Sequence, residues 1–184
     1  MAAAGFPVRD ANLAVPAALR ARGIGLRAAR DADLPWLRDL YASTRSAELA
    51  AVPWPEAAKR AFLDQQFALQ HAHYLNHFAD ADFLIVERTQ APVGRLYLQR
   101  GAAQHVLVDI SLLPAWRGQG VGTALIAHAQ ALAAAAGCAL SLHVLHANPA
   151  AQRLYARLGF VAGNASETHL EMHWRAACAA STVS

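Results

Sequence analysis

Trp116-Arg-Gly-Gln-Gly-Val-Gly-Thr123 is a glycine-rich stretch that stands between an apolar strand pattern and a long helical pattern. A turn from strand to helix leaves backbone N–H groups free at the helix N-terminus, where the helix dipole also favours negative charge. Glycines let a phosphate come close because they have no Cβ. The stretch therefore predicts a pyrophosphate-binding turn, and the alternative is a tight turn whose glycines serve packing alone.

The stretch departs from two common nucleotide-binding loops. A P-loop ends in Gly-Lys-Ser/Thr, and this stretch has no such ending. A dinucleotide-binding fingerprint needs a third glycine, where this chain has Thr123, and an acidic residue near position 140, where it reads Ala139-Leu-Ser-Leu142. Neither a P-loop nucleotide nor a nicotinamide dinucleotide fits the pattern.

Apolar periodicity on both sides of the stretch predicts a single mixed α/β domain. Short apolar or alternating runs predict strands over 24–28, 82–88, 93–98, 106–112 and 140–145, and a last hairpin over 160–175. Helical spacing predicts a first helix from 31–33 past Tyr41, and further helices over 55–78, 121–136 and 148–158. Residues 1–22 have no clear period, so we expect a loose arm or a partial helix there.

The residues at the ends of these elements predict where helices begin and end. Asp31 or Asp33 is expected to cap the first helix, and Gly137 stands where a left-handed residue closes the long helix. Asn148 is expected to be the N-cap of the last helix, with Pro149 as its first residue.

Composition restricts the class of protein. The chain has 184 residues, of which 55% are hydrophobic and 16% charged, and this suits one folded domain. Its net charge of +3 comes from 15 Arg and one Lys against 13 acidic residues, and the arginines are scattered along the chain. No basic run would follow a phosphate backbone, so no nucleic-acid partner is expected.

The sequence also indicates a cytoplasmic location. No window has the roughly 20 apolar residues that a membrane span needs, so no membrane partner is expected. Arg9 and Asp10 interrupt the apolar N-terminus, so no signal peptide is expected. Cys138 and Cys178 lack metal or redox spacing and fit a reducing cytoplasm.

Two blocks carry a resemblance to a known family. Arg117-Gly-Gln-Gly-Val-Gly122 resembles the R/Q-x-x-G-x-G/A acetyl-CoA signature of the GCN5-related N-acetyltransferases, the GNAT family. The block from Asn148 to Phe160 is similar to that family's next helix, N-x-x-A-x-x-L-Y-x-x-x-G-F. The blocks stand in the family's order, one strand apart, which disfavours the packing-only alternative. The resemblance is specific over 104–160 and extends over 24–103 only in the order of elements.

The resemblance implies a GNAT-like acyl-CoA N-acyltransferase fold, in which helices flank a central β-sheet that splays open. The implied domain spans 23–175, between an N-terminal arm at 1–22 and a C-terminal tail at 176–184. In this family the turn amides hold the CoA pyrophosphate, and a backbone amide near Leu112 would polarise the acetyl carbonyl. The implied CoA-binding residues are Leu112, Arg117, Gly118, Gln119, Gly120, Val121, Gly122, Thr123 and Asn148.

The resemblance places Tyr155 where family members often carry a general acid, seven residues after Asn148. A phenol near the sulfur can protonate the departing thiolate. The alternative is an aromatic ring that only packs on one helix face with Leu154 and Leu158. A core tyrosine still needs a partner for its hydroxyl, which favours the acid role.

Two further residues are candidates for the general base or for binding the acceptor. Histone-type members carry a Glu on the strand before the turn, but this position falls at Val106, which cannot accept a proton. Ribosomal-protein N-terminal acetyltransferases carry an acidic residue five positions before the Asn, and here that residue is His143. Histidine suits proton removal near neutral pH, and the alternative is a strand histidine satisfied by a neighbour.

Asp109 is a charged residue within an apolar strand, so it needs a partner. Strict alternation predicts that its side chain faces opposite Val106 and Ile110. It is a candidate catalytic or substrate-binding group, and the alternative is a structural hydrogen-bond anchor.

The resemblance implies an enzyme that moves an acetyl group from acetyl-CoA to a primary amine by direct attack in a ternary complex. The acceptor, a small molecule or a peptide, stays open, as does a homodimer. The alternative function is a non-catalytic acyl-CoA-binding regulatory module. His73 and His77 are four residues apart, but no further ligand is evident, so no metal is expected. Glu48 is a weak candidate for binding a cationic amine.

Overall fold

The computed structural model describes residues 5–8 and 13–177, and in these residues seven strands form one sheet. Parts of the predicted arm, Arg9 and Asp10 among them, lie outside the described residues, as do Cys178 and the rest of the chain to 184. The strands are β1 (Ile24–Ala28), β2 (Asp82–Arg88), β3 (Ala91–Arg100), β4 (Gln104–Leu112), β5 (Ala139–Leu145), β6 (Val161–Ala165) and β7 (His169–Trp174). The helices are α1 (Ala17–Arg20), α2 (Leu34–Ala50), α3 (Glu56–His77), α4 (Val121–Ala135) and α5 (Pro149–Arg157).

The sheet has the strand order β1-β2-β3-β4-β5-β7-β6. Neighbouring strands are antiparallel except for β4 and β5. These two strands are parallel, and Gln104–Leu107 of β4 pairs with Ala139–Leu142 of β5. Beyond that pairing β4 continues to Leu112 and β5 to Leu145, so the two strands diverge at their carboxyl ends. The predicted mixed α/β fold with a splayed sheet is confirmed.

Each face of the sheet is covered by one apolar cluster. The face under α4, called the α4 face, buries Leu96, Leu98, Leu107, Val121, Leu125, Ile126, Leu140 and Leu142. The face under α2 and α3, called the α3 face, buries Leu37, Leu40, Tyr41, Phe67, Leu75, Phe83, Ile85 and Tyr97. Because side chains alternate along a strand, the central strands β2, β3 and β4 each contribute to both clusters. In the described part of the chain, no helix combines the length and the apolar character needed to cross a membrane.

The predicted helix ends agree with the structure at the last two helices and not at the first. Gly137 has φ +67° directly after α4, and the Asn148 side chain accepts a hydrogen bond from the Ala151 amide at 3.1 Å. The prediction that Asp31 or Asp33 caps α2 is wrong. The Asp33 carboxylate instead accepts from the Arg30 amide and pairs with Arg27, so it closes the short 3-10 turn that precedes α2.

The described part of the N-terminal arm contains the short helix α1, which fits the partial helix predicted as one alternative, and it packs on the domain rather than hanging loose. Leu13 and Leu19 are buried in the α4-face cluster, and Phe6 is buried in the α3-face cluster. The Phe6 amide also donates to an Asp31 carboxylate oxygen at 2.8 Å. Three widely spaced apolar residues give no periodic pattern, so periodicity could not predict this packing.

Candidate active site

The divergence of β4 and β5 opens a cavity of about 540 Å³ between them. The predicted site residues Asp109, Leu112, His143, Asn148 and Tyr155 all line it, together with Arg117 and Gly122 from the glycine-rich turn. Its walls are α2 and α3 on one side and α4 and α5 on the other. The other turn residues, Gly118, Gln119, Gly120, Val121 and Thr123, do not line this cavity but continue from its rim.

The glycine-rich turn is open to ligands. Gly118 and Gly120 have φ of +70° and +77°, a left-handed conformation that favours glycine, and a Cβ on either would meet no atom within 4 Å. Packing therefore does not explain these glycines. α4 begins at Val121, and the Gly120 N-cap offers no side-chain hydrogen bond, so the first amides of α4 remain available to an anion.

Three side chains fix the position of this turn. The Val121 side chain is fully buried under the sheet and anchors the start of α4. The Arg117 Nε donates to the Leu112 carbonyl at 2.9 Å, and the Gln119 amide nitrogen donates to the Ala115 carbonyl at 2.5 Å. The turn is thus held in place before any ligand binds, and Arg117 connects it to the end of β4.

The backbone of Leu112 points into the opening. The neighbouring Leu113 amide donates to the Val93 carbonyl of β3 at 2.9 Å. Successive N–H groups in an antiparallel strand point to opposite sides, so the Leu112 N–H points away from β3, towards the side where β5 has diverged. This amide is therefore placed to stabilise negative charge that develops on an oxygen in the opening.

Tyr155 reaches the cavity from α5. Its ring packs edge-on against Phe160, with ring centres 5.7 Å apart, so the packing predicted as the alternative role is present as well. Burial, with a further contribution from the charge of Asp109, raises the pKa of Tyr155 to about 12. The phenol is therefore protonated at neutral pH, which is the state a proton donor requires.

Asp109 lies at the centre of a buried polar network. Arg95 of β3 binds both carboxylate oxygens at 2.9 Å, and the exposed fractions of the two side chains are 3% and 11%. The Tyr74 and Ser111 hydroxyls also donate to this carboxylate, each at 2.9 Å. The Arg95 guanidinium further donates to the Gln70 side-chain oxygen at 2.7 Å. The network meets the expectation that a charge in an apolar strand has a partner.

A β-bulge gives Asp109 its direction. Tyr97 pairs with Asp109 while Leu98 pairs with Leu107, so β4 has one extra residue, Val108, at this point. Asp109 and Val108 both face the α3 side, where Val108 packs against the α3-face cluster. Alternation from the buried Leu107 then places Val106 on the same face as Asp109. The prediction that Asp109 faces opposite Val106 is therefore wrong, because the bulge shifts the period between them.

His143 projects from β5 into the opening. Leu142 and Val144 are buried in the α4-face cluster, so His143 faces the α3 side. It is exposed, lines the cavity, and lies directly across from Glu171 on β7. The predicted base is thus accessible from the cavity and has a carboxylate as its cross-strand neighbour.

The outer part of the cavity is polar. Tyr41, Thr44, Arg45 and Glu48 of α2 line it, and Arg45 binds Glu48 at 3.0 Å, so the Glu48 carboxylate already has a cationic partner. His169 of β7 also lines it. Burial, then the neighbouring charges of His143 and Arg45, lower the pKa of His169.

Sequence reasoning missed Arg95, Gln70 and Ser111 as members of this site. Arg95 had a detectable signature, since it is a charge within the apolar run of a strand adjacent to the strand of Asp109.

The rings of His73 and His77 stack on α3, with ring centres 4.2 Å apart. Among the described residues, no three His, Cys, Asp or Glu side chains are grouped so as to bind a metal ion.

An open helix N-terminus beside a splayed pair of parallel strands can hold an anionic group at the turn and a substrate in the opening. The model of the acetyltransferase (GNAT) family matches residues 37–160, more than half of the chain. The chain therefore belongs to the GNAT family, and its activity is acetyl transfer from acetyl-CoA. No curated protein is significantly similar to it in sequence.

Solved structures of acetyltransferases have the same fold. The PaiA N-acetyltransferase of Thermoplasma acidophilum, in complex with coenzyme A, aligns with a TM-score of 0.64 at 17% identity, over 83% of this chain and 99% of its own. The ribosomal-protein-S18-alanine N-acetyltransferase of Escherichia coli aligns with a TM-score of 0.57 at 19% identity, over 88% of this chain and 99% of its own. Arabidopsis thaliana Naa50, in complex with a bisubstrate analogue, aligns with a TM-score of 0.55 at 17% identity, over 83% of this chain and 98% of its own.

Proposed function

We propose that the opening between β4 and β5 holds the acetyl thioester, and that an acceptor amine approaches it from the α3 face. One observation carries this proposal: the Leu112 amide, the Tyr155 phenol and the His143 imidazole converge on a single cavity. These groups match the three tasks of the reaction, which are to stabilise charge on the carbonyl oxygen, to protonate the leaving thiolate and to remove a proton from the amine.

Acetyl-CoA fits the residues that are present. The exposed turn from Arg117 to Thr123 offers backbone amides to the pyrophosphate, and the Asn148 side-chain NH₂ remains free to donate because its oxygen caps α5. The co-substrate supplies the activated acetyl group. Tyr155 donates the proton to the leaving thiolate, while His143 accepts the amine proton directly or through one water.

A direct assay tests the proposal. The protein is incubated with acetyl-CoA and a panel of benzylamine, spermidine, L-lysine and short peptides with free N-termini. The expected result is release of CoA thiol with an equal amount of acetylated amine, measured by thiol titration and mass spectrometry. If acetyl-CoA binds but no amine of the panel increases thiol release above the hydrolysis blank, the proposed primary-amine acceptor is wrong.

Gly122→Val is expected to remove most of the thermal stabilisation that CoA gives the wild type. The Gly122 Cβ would lie 3.7 Å from a Leu112 methyl group, an ordinary contact, so the variant should fold. The added side chain would stand beside the turn amides and obstruct the phosphate. Stabilisation depends on the ratio of ligand concentration to Kd, so a weaker Kd reduces the shift in Tm.

The matched control is Gly25→Val on β1, where a Cβ would meet no atom within 4 Å. Its CoA-induced shift should equal that of the wild type. Gly118 and Gly120 are unsuitable for this test, because a side chain strains their left-handed backbone. A folded Gly122→Val protein with an undiminished CoA shift would disprove the placement of the pyrophosphate.

We further propose a peptide or small-molecule primary amine as the acceptor, a cytoplasmic location and a catalytic domain over 23–175. Naa50 was crystallised with a peptide-derived bisubstrate analogue, and the Escherichia coli neighbour is named for a protein alanine, which supports a peptide acceptor. The absence of metal and redox spacing at both cysteines supports the cytoplasm. A homodimer would be detected by sedimentation of the purified protein.

A further inference from the structure

The Asp109 carboxylate has no capacity left for a proton from the amine. One oxygen accepts from the Arg95 Nε and the Ser111 hydroxyl, and the other accepts from the Arg95 Nη2 and the Tyr74 hydroxyl. A carboxylate has about four acceptor sites, and these four donors occupy them. Asp109 therefore cannot accept a further hydrogen bond without losing one of these partners.

This saturation fixes the direction of two hydroxyl groups. A carboxylate only accepts, so the Tyr74 and Ser111 hydroxyls must both direct their protons at Asp109. Each hydroxyl has one proton and two lone pairs, so only lone pairs remain for other partners. Both residues line the cavity, and a hydrogen bond that either hydroxyl makes there must use these lone pairs.

The network is rigid and electrically balanced. Arg95 is buried, neutralises Asp109, and is held from a third side by Gln70 at 2.7 Å. Burial, then the charge of Asp109, raises the pKa of Tyr74, so this phenol does not ionise at neutral pH. The wall presents oriented lone pairs rather than a net negative charge, and it therefore selects N–H donors rather than cations in general.

We propose that the Ser111 and Tyr74 hydroxyl oxygens receive one N–H group of the acceptor amine, and that Asp109 is the positioning residue that sets the direction of both hydroxyls. The inference rests on the proposed function and specifies its substrate. A neutral primary amine has two N–H groups and one lone pair. When one N–H group binds the two hydroxyl oxygens and the other faces His143, the lone pair is left for the acetyl carbon. After attack His143 takes its proton from the nitrogen, and the N–H group that stays on the hydroxyl oxygens becomes the amide N–H. A secondary amine offers one N–H group, so it loses either the bond to the hydroxyl oxygens or the proton transfer to His143.

The first test compares Ser111→Ala and Tyr74→Phe with the wild type on the best amine of the panel. Each variant is expected to raise KM for the amine about three- to tenfold, because one hydrogen bond to the substrate is lost. KM for acetyl-CoA should stay within about twofold, since neither hydroxyl faces the turn. Ser111→Thr retains a hydroxyl and should recover most of the loss.

Two matched controls separate hydroxyl loss at the cavity from hydroxyl loss elsewhere. Ser43 donates to the Leu40 carbonyl within α2, and Tyr97 lies beside the Arg95 guanidinium, 5.2 Å from ring centre to carbon, but neither residue lines the cavity. Ser43→Ala and Tyr97→Phe should therefore leave KM for the amine unchanged. Benzylamine should also be preferred over N-methylbenzylamine by the wild type, and less so by the two cavity variants.

The role of Asp109 is tested by adding Asp109→Asn to the double variant Ser111→Ala/Tyr74→Phe. With no hydroxyl left to orient, the added change should lower Tm, because Arg95 loses its buried partner, but should not raise KM for the amine further. A further rise in KM would show that Asp109 does not act through the two hydroxyls. Unchanged KM in the single variants would overturn the inference while leaving acetyl transfer intact. If the wild type acetylates no amine, the proposed function fails and this inference fails with it.

Discussion

Tyr155→Phe is expected to lower kcat by about 10²–10⁴-fold, the usual cost of losing a general acid. The phenylalanine ring keeps the edge-on contact with Phe160, so the variant should retain the packing of α5. Its only loss is the hydroxyl that would protonate the thiolate. The measurement is single-turnover acetyl transfer, so that product release does not mask the chemical step.

Two controls accompany this variant. CoA should raise its Tm as much as it raises that of the wild type, because the phenol is remote from the pyrophosphate turn. The pH profile of the wild type should also show no loss of activity from Tyr155 ionisation up to pH 9, because its pKa of about 12 leaves about one phenol in a thousand ionised there. A kcat equal to the wild type, with chemistry rate-limiting, would leave Tyr155 as a packing residue only.

His143→Ala is expected to lower kcat/KM for the acceptor amine by about 10²–10⁴-fold, the usual cost of losing a general base. The imidazole would accept the proton that the attacking amine loses, and alanine cannot accept it. His143 is exposed and leaves the buried clusters intact, so the variant should fold.

His73→Ala is the control for histidine loss, since His73 is exposed on α3 and lies outside the cavity. It should keep the wild-type kcat/KM. His169→Ala tests the alternative that His169 is the general base, because His169 also lines the cavity. A large loss of rate in His169→Ala, without one in His143→Ala, would transfer the role of base to β7.

The parts of the molecule that depend on local chemistry could be predicted from the sequence. The glycine turn, the Asn148 cap and the left-handed Gly137 each need particular residue types within a few positions, and all three are present as expected. The alternation of β5 likewise turns His143 towards the cavity. Such features are visible in sequence because the cause and the effect lie within one helical turn or one strand.

The features that could not be predicted depend on contacts between distant segments. Predicting the Arg95–Asp109 pair requires knowledge of the register of β3 against β4. This register contains a bulge that no residue type in the sequence indicates. Tyr74 comes from α3, 35 positions before Asp109, so its hydrogen bond has no local pattern. Asp33 was a predicted cap of α2 because aspartate is a common N-cap residue, but its carboxylate binds Arg27 instead.

The bulge at Val108 has a consequence for how the enzyme acquired its opening. Parallel pairing between β4 and β5 ends at Leu107 and Leu142, immediately before the extra residue, and a bulge bends and twists the strand that contains it. The bulge thus lies at the point where the two strands separate, and the bend that it gives β4 directs the end of this strand away from β5. The site where the thioester is proposed to lie begins at this irregularity in the ladder.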